Sequence, residues 1–165
     1  MRLTRVLQHL QRPAWWYRRL FGAGTLWAIE VAIRHAESSH RGELRFVAEG
    51  MLPWRCLWHD TSPRERAAQL FAQLHVWDTE DNAGILIYVQ LADRRVEILA
   101  DRGIAARVPQ AEWDALCRRM EDLFSREEWR KGAVAGVEGA AELIARHFPA
   151  IGPNPNELPD APLLL

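Results

Sequence analysis

Apolar residues recur at two different spacings along the 165-residue chain, and each change of spacing marks an element. Leu3, Val6, Leu7 and Leu10 follow helical intervals up to Pro13, which disfavours helix in the residue before it. Gly22 and Gly24 punctuate. Thr25 then offers an N-cap for a helix with Leu26, Ile29, Ile33 and Ala36 on one face, stopped by Gly42. From Leu44 the interval drops to two. Leu44, Phe46 and Ala48 alternate with Arg45, Val47 and Glu49, the pattern of a strand with one wetter face. Residues 50–60, with Pro53, Trp54, Cys56, Leu57 and Trp58, fit either a loop or a short edge strand. Ser62-Pro63-Arg64-Glu65 is a capping box with Pro at the first helical position, so a helix starts there and buries Ala67, Leu70, Phe71 and Leu74.

Residues 85–89 are a continuous apolar run, β-branched and aromatic, which predicts a strand covered on both faces. Ala92-Asp93-Arg94 is a turn, residues 96–100 are the return strand, and Gly103 ends it. Helices over about 110–124 (Trp113, Leu116, Met120, Leu123) and 127–147 (Val134, Val137, Ala141, Leu143, Ile144) complete the body. A strand, helix, strand order over 43–89 calls for a crossover with parallel strands, and the next strand adds an antiparallel hairpin. The predicted fold class is α/β: a three-layer α/β/α sandwich, Rossmann-like, with a mixed sheet and a β-hairpin. The chain divides into a basic, aromatic helical arm (1–21), the α/β body (22–149) and a Pro-rich tail (150–165) expected to lack order.

Composition narrows the partners. A net charge of -1 and a pI near 6.6 give no reason to expect nucleic acid. No apolar run is long enough to span a bilayer, and the first residues do not read as a signal peptide. Two cysteines, Cys56 and Cys117, outside any CxxC, suggest a reducing, cytoplasmic setting with inert thiols. Arg2, Arg5, Arg12, Arg18 and Arg19 interleave with Trp15, Trp16, Tyr17, Leu20 and Phe21. That segment either packs its aromatics on the body, the favoured reading, or touches a membrane surface peripherally.

Candidate chemistry lies where topology gathers it. The start of a strand and the end of its hairpin partner share one sheet edge, so Asp78-Thr79-Glu80-Asp81-Asn82 should lie beside Asp101-Arg102-Gly103. A three-residue turn would set position 85 opposite 101. The crossover brings Glu43 to the same edge, and Glu37 ends the preceding helix. Clustered carboxylates need counter-charge. A hard cation, Ca²⁺ or Mg²⁺, would use Asp78, Glu80, Asp81 and Asp101; alternatively Arg41, Arg66 or Arg102 would neutralise them. A solvated turn is the simplest account of Asp81-Asn82. Scattered histidines without HxH or HExxH argue against zinc. Gly132, Gly136 and Gly139, inside a helical pattern, suit close helix packing.

At these same residues the chain resembles the TPM domain family. The carriers are residues 29–37 leading to Gly42-Glu43-Leu44; Arg66-Ala67 with Leu70-Phe71; Asp81-Asn82-Ala83-Gly84-Ile85-Leu86-Ile87; residues 96–98 leading to Asp101-Arg102-Gly103-Ile104; and Glu128-Trp129-Arg130-Lys131-Gly132. The resemblance implies a Rossmann-like sandwich and, for some members, divalent-cation binding and acid-phosphatase activity. Other members look like binding or quality-control modules of membrane complexes. The family's acid near the start of its first helix is missing from Phe21-Gly22-Ala23-Gly24-Thr25, and the chain looks like a short, untethered subtype.

Two functions follow. A metal-assisted phosphatase would hold its cation on Asp78, Asp81 and Asp101 and grip phosphate with Arg102. Its weakness is the lack of an evident nucleophile or base. A non-enzymatic interaction module would dock a protein partner, with Trp54, Trp58 or Trp77 as anchors. The second reading is preferred; whether the chain is an enzyme, and its oligomeric state, stay open.

Overall fold

The computed structural model describes residues 3–10, 13–150 and 155–165. Arg2 and Arg12 of the expected arm lie outside them, as do residues 151–154 of the tail. Three strands form the centre: β1 (Glu43–Glu49), β2 (Gly84–Gln90) and β3 (Arg95–Ala100). β1 and β2 are parallel, in register from Glu43 opposite Gly84 to Glu49 opposite Gln90. β2 and β3 are antiparallel. The helices are α1 (Leu3–Leu10), α2 (Ala14–Leu20), α3 (Ala23–Glu37), α4 (Trp54–Trp58), α5 (Pro63–Gln73), α6 (Arg102–Ala105), α7 (Gln110–Ser125) and α8 (Trp129–His147).

One sheet face, with Leu44, Phe46, Ile85 and Ile87, packs on Ile29 and Ile33 of α3, Trp113 and Met120 of α7, and Val137 and Ile144 of α8. The other face, with Val47, Leu86 and Tyr88, packs on Ala67 and Leu70 of α5 and on Leu158 of the tail. Each large apolar side chain buried this way contributes about 1.5–3 kcal/mol. The result is the expected three-layer sandwich. α8 meets α7 through its glycines: a Cβ on Gly132 would stand 2.6 Å from the Phe124 ring, and one on Gly139 2.6 Å from Leu116. The capping box at Ser62 and Glu65 is made in full.

Several details depart from the sequence pattern. α3 begins at Ala23 with Gly22 as its N-cap, three residues before the expected cap Thr25. β1 has no wet face, because Val47 and Glu49 are as buried as Phe46; its alternation separates two packed layers, one of which closes over a charge. Residues 54–58, expected as loop or edge strand, form a helical turn. The hairpin turn spans four residues, since Leu91 N–H still bonds Glu49 O (2.9 Å), so Ile85 faces Ala100 and not position 101. The tail is the largest departure. Leu163–Leu164 form β4, parallel to β1, giving the sheet order β3-β2-β1-β4. Four prolines hide that pairing in the sequence. Here Arg45 Nη1 donates to Pro159 O and Ala161 O, both at 2.6 Å, and Leu158 is buried.

Candidate functional site

The amino edge of the parallel pair holds the expected loops side by side. Gly103 N–H bonds Asn82 O (3.0 Å), and a Cβ at Gly103 would collide with the Asp81 and Asn82 carbonyls. Asn82 turns the chain with a left-handed φ of 51°, and Thr79 Oγ1 accepts from Ala83 N–H (2.9 Å) to fix the turn. Asp101 N-caps α6 through Oδ1, at 2.7 Å from Arg102 N, and Asp101 N–H bonds Gly84 O.

The side chains brought to this edge have separate partners. Asp81 pairs with Arg41. Arg102 Nε donates to Asn82 Oδ1 (2.9 Å). Glu43, fully buried, accepts from Leu158 N–H (3.1 Å) and Glu157 N–H (3.3 Å) and so anchors the tail. Glu37 accepts from Leu44 N–H (3.1 Å); burial is the main force pushing its carboxyl up to about 8, and nearby Glu43 adds to it. Asp78 and Glu80 are exposed. Arg66, offered from sequence as counter-charge here, sits at the opposite edge, because α5 begins where β1 ends.

Fit to Ca²⁺ or Mg²⁺ turns on free oxygens. Asp101 Oδ2 is buried and makes no hydrogen bond. Hard cations take about six or more oxygen ligands. Among the described residues no group of three His, Cys, Asp or Glu side chains stands close enough to hold one. Among the described residues the edge therefore holds one buried, unbonded carboxylate oxygen, on Asp101, and no cluster of three acids that could cage a cation.

The carboxyl edge carries a second polar network, which the sequence pattern passed over. Glu49 ends β1 and receives Arg66 Nη2 at 2.7 Å, Arg66 Nε at 3.0 Å and Tyr88 Oη at 2.6 Å, all within the core. Burial, with the Glu49 charge adding to it, raises the Tyr88 phenol well above its ordinary range. His9 of α1, buried, accepts Leu52 N–H on Nδ1 (3.1 Å), so its Nε2–H donates to Asp93 Oδ1 (3.1 Å). Arg5 adds a fork on Asp93, at 2.6 Å through Nη2. Burial works to raise the Asp93 carboxyl, but the His9 and Arg5 hydrogen bonds hold it down at about 2. The Tyr17 ring of α2 lies over Gly50, where a Cβ would stand 2.6 Å from it. Open α/β sheets bind ligands beyond the carboxyl ends of their strands. In this chain its own arm fills that place. The signals in the sequence were a tyrosine inside an apolar run and a glutamate closing a buried strand.

Outside both edges, α3 and α8 flank a recess of about 800 Å³ lined by Leu20, Trp27, Val31, Trp129 and Val134. Trp27 is exposed beside it. Among the described residues no helix is long and apolar enough to cross a membrane.

Layers, mixed sheet and hairpin together define a Rossmann-like α/β/α domain. A family model described as the TPM domain matches residues 17–143, and the chain belongs to that family. The NMR structure of the BA42 protein from the psychrophilic bacterium Bizionia argentinensis superposes with a TM-score of 0.77 at 29% identity, covering 87% of this chain and 94% of that one. No curated protein matches the chain.

Proposed function

We propose that this TPM domain is a non-enzymatic binding module that docks a protein partner. The observation that carries the reading is that five of the eight tryptophans, Trp15, Trp27, Trp54, Trp58 and Trp77, leave 46% to 63% of their surface in water. Tryptophan is usually well buried, and it is enriched, with Tyr and Arg, among the residues that anchor protein interfaces. Trp27 borders the apolar recess between α3 and α8, which makes that recess the favoured contact. A reducing, cytoplasmic setting agrees with two free cysteines, one of which, Cys117, burial pushes up to about 12.

A weak metal-assisted acid phosphatase is the second reading. It is favoured by the bare, buried Oδ2 of Asp101. It requires Arg41 to release Asp81 when a cation arrives.

One experiment separates the two. Full-length wild type, Trp27→Glu and Asp81→Ala are compared for cross-linked partners, for Ca²⁺ and Mg²⁺ binding by calorimetry, and for phosphomonoester turnover. The module reading expects a partner that wild type and Asp81→Ala retain and Trp27→Glu loses. Turnover that needs Mg²⁺ or Ca²⁺ and disappears in folded Asp81→Ala would establish the phosphatase instead.

A further inference from the structure

The carboxyl edge presents a different surface from the recess. Six of the ten large apolar side chains exposed among the described residues lie on the elements that cover it: Leu7, Leu10, Trp15, Met51, Trp54 and Trp58. Buried Val6, Leu52, Cys56 and Leu57 lock α1 to α4, so these outward residues belong to one end of the molecule. Trp54 and Trp58 stand one helical turn apart with ring centroids at 6.0 Å.

The charge at this end is cationic. Arg18, Arg19, Arg55 and Arg94 are exposed, and none has an ion-pair partner among the described residues. Of the nearby carboxylates, Glu49 is paired by Arg66 and Asp60 and Asp93 by Arg5, while Glu65 is an exposed helix cap bonded to Ser62. Glu127 shares a recess with Arg19 and Arg94. At the far edge of the sheet, Asp78, Glu80 and Glu157 are exposed. Arg18, Arg19, Arg55 and Arg94 thus gather with the indoles at the α1/α4 end, while the far edge mixes exposed Asp78, Glu80 and Glu157 with Arg102.

We propose that the α1/α4 end docks on an anionic bilayer surface. Indoles favour the headgroup zone, where the ring meets lipid and its N–H stays wet. Arginines supply the attraction to anionic headgroups. The exposed Asp78, Glu80 and Glu157 of the far edge then point away from the membrane. Charge complementarity selects this occupant over an apolar protein groove, and the recess beside Trp27 stays open to a second partner.

The test is flotation of the full chain with vesicles of phosphatidylcholine alone and of an equimolar phosphatidylcholine and phosphatidylglycerol mixture, at low and high salt. Each basic side chain near an anionic surface contributes a roughly fivefold factor, so the double variant Arg18→Gln/Arg19→Gln should bind anionic vesicles roughly thirtyfold more weakly. Trp54→Ala/Trp58→Ala should lose binding by roughly tenfold or more, since both indoles leave the interface. Trp27→Ala should bind as wild type does. High salt should weaken wild-type binding. All five substituted positions are exposed, and circular dichroism checks that each variant folds. Equal binding to neutral vesicles, no binding to either, or loss only in Trp27→Ala would overturn the proposal. So would a dimer in solution that Trp54→Ala/Trp58→Ala dissociates without any vesicle binding, which would assign the face to a second copy of this chain. The result stands apart from the protein-partner reading, which fails on Trp27→Glu and not on the α4 variant.

Discussion

Both ends of the parallel β1/β2 pair are rich in charge, yet they settle it in opposite ways. At the amino edge Asp78 and Glu80 face water, Asp81 meets Arg41 in a half-exposed pair, and Glu43 and Glu37 bind backbone amides. At the carboxyl edge Glu49, Arg66 and Tyr88 form a closed buried network, and His9 and Arg5 clamp Asp93 beneath the arm. Counting carboxylates therefore says little about where chemistry or stability resides. Burial and partner geometry decide it. Water pays for the charge at one edge, and a fixed set of donors replaces it at the other.

The largest contrast should come from breaking one ion pair at each edge. Arg66→Ala leaves Glu49 buried with only the Tyr88 hydroxyl, and removing one partner of a buried pair costs about 3–5 kcal/mol. Denaturant unfolding should show that loss as a lower midpoint. Arg66→Ala unfolding at the wild-type midpoint would mean that the network is not closed to water. Asp81→Asn removes a pair whose partners are each about a third exposed, a change worth roughly 0–1 kcal/mol. A cost at Asp81 that matched the cost at Arg66 would erase the distinction between the edges.

The arm offers a test of intermediate size. His9→Ala leaves Leu52 N–H without its acceptor and Asp93 with one donor fewer, both under α1. An unsatisfied buried group costs about 1–3 kcal/mol. Gly50→Ala should act in the same range by pressing a methyl group into the Tyr17 ring. Both should raise amide exchange in α1, α2 and residues 50–61 while leaving the amino-edge loops as protected as before. Exchange that rises equally at both edges would show that the arm is not a local cover.

The sequence made the amino edge legible and left the carboxyl edge dark, for a physical reason. Loops announce themselves: Asp, Asn and Gly at 78–84 and 101–103 are turn chemistry, and topology alone placed them together. The hairpin, the crossover and the capping box were likewise local signals. The carboxyl edge depends on long-range partners. His9 and Asp93 lie 84 positions apart, and Glu49 and Tyr88 lie 39 apart. No periodicity joins such pairs. β4 was hidden because backbone acceptors on Pro159 and Ala161, not side-chain pattern, hold the tail against Arg45. The missing register step in the hairpin has the same origin, since Leu91 stays bonded to β1 and lengthens the turn.

The finest test uses pH, where Glu37 at the amino edge and Asp93 at the carboxyl edge should respond with opposite sign. Glu37 is raised from 4.5 to about 8, so between those values the folded chain binds more protons than the unfolded one. Its share of stability is full below 4.5 and is lost as pH rises towards 8. Asp93 is lowered from 3.8 to about 2, so its share is full above 3.8 and is lost as pH falls towards 2. His40, lowered by burial from 6.5 to about 4, also loses stability on the acid side, so each limb is read by difference against wild type. Unfolding midpoints across pH should show Glu37→Gln with a flatter slope between 4.5 and 8 and an unchanged acid limb, because the amide oxygen still accepts from Leu44 N–H. Asp93→Asn should flatten the acid limb only. An alkaline slope that persists in Glu37→Gln would place the responsible group elsewhere and remove Glu37 from the pH response.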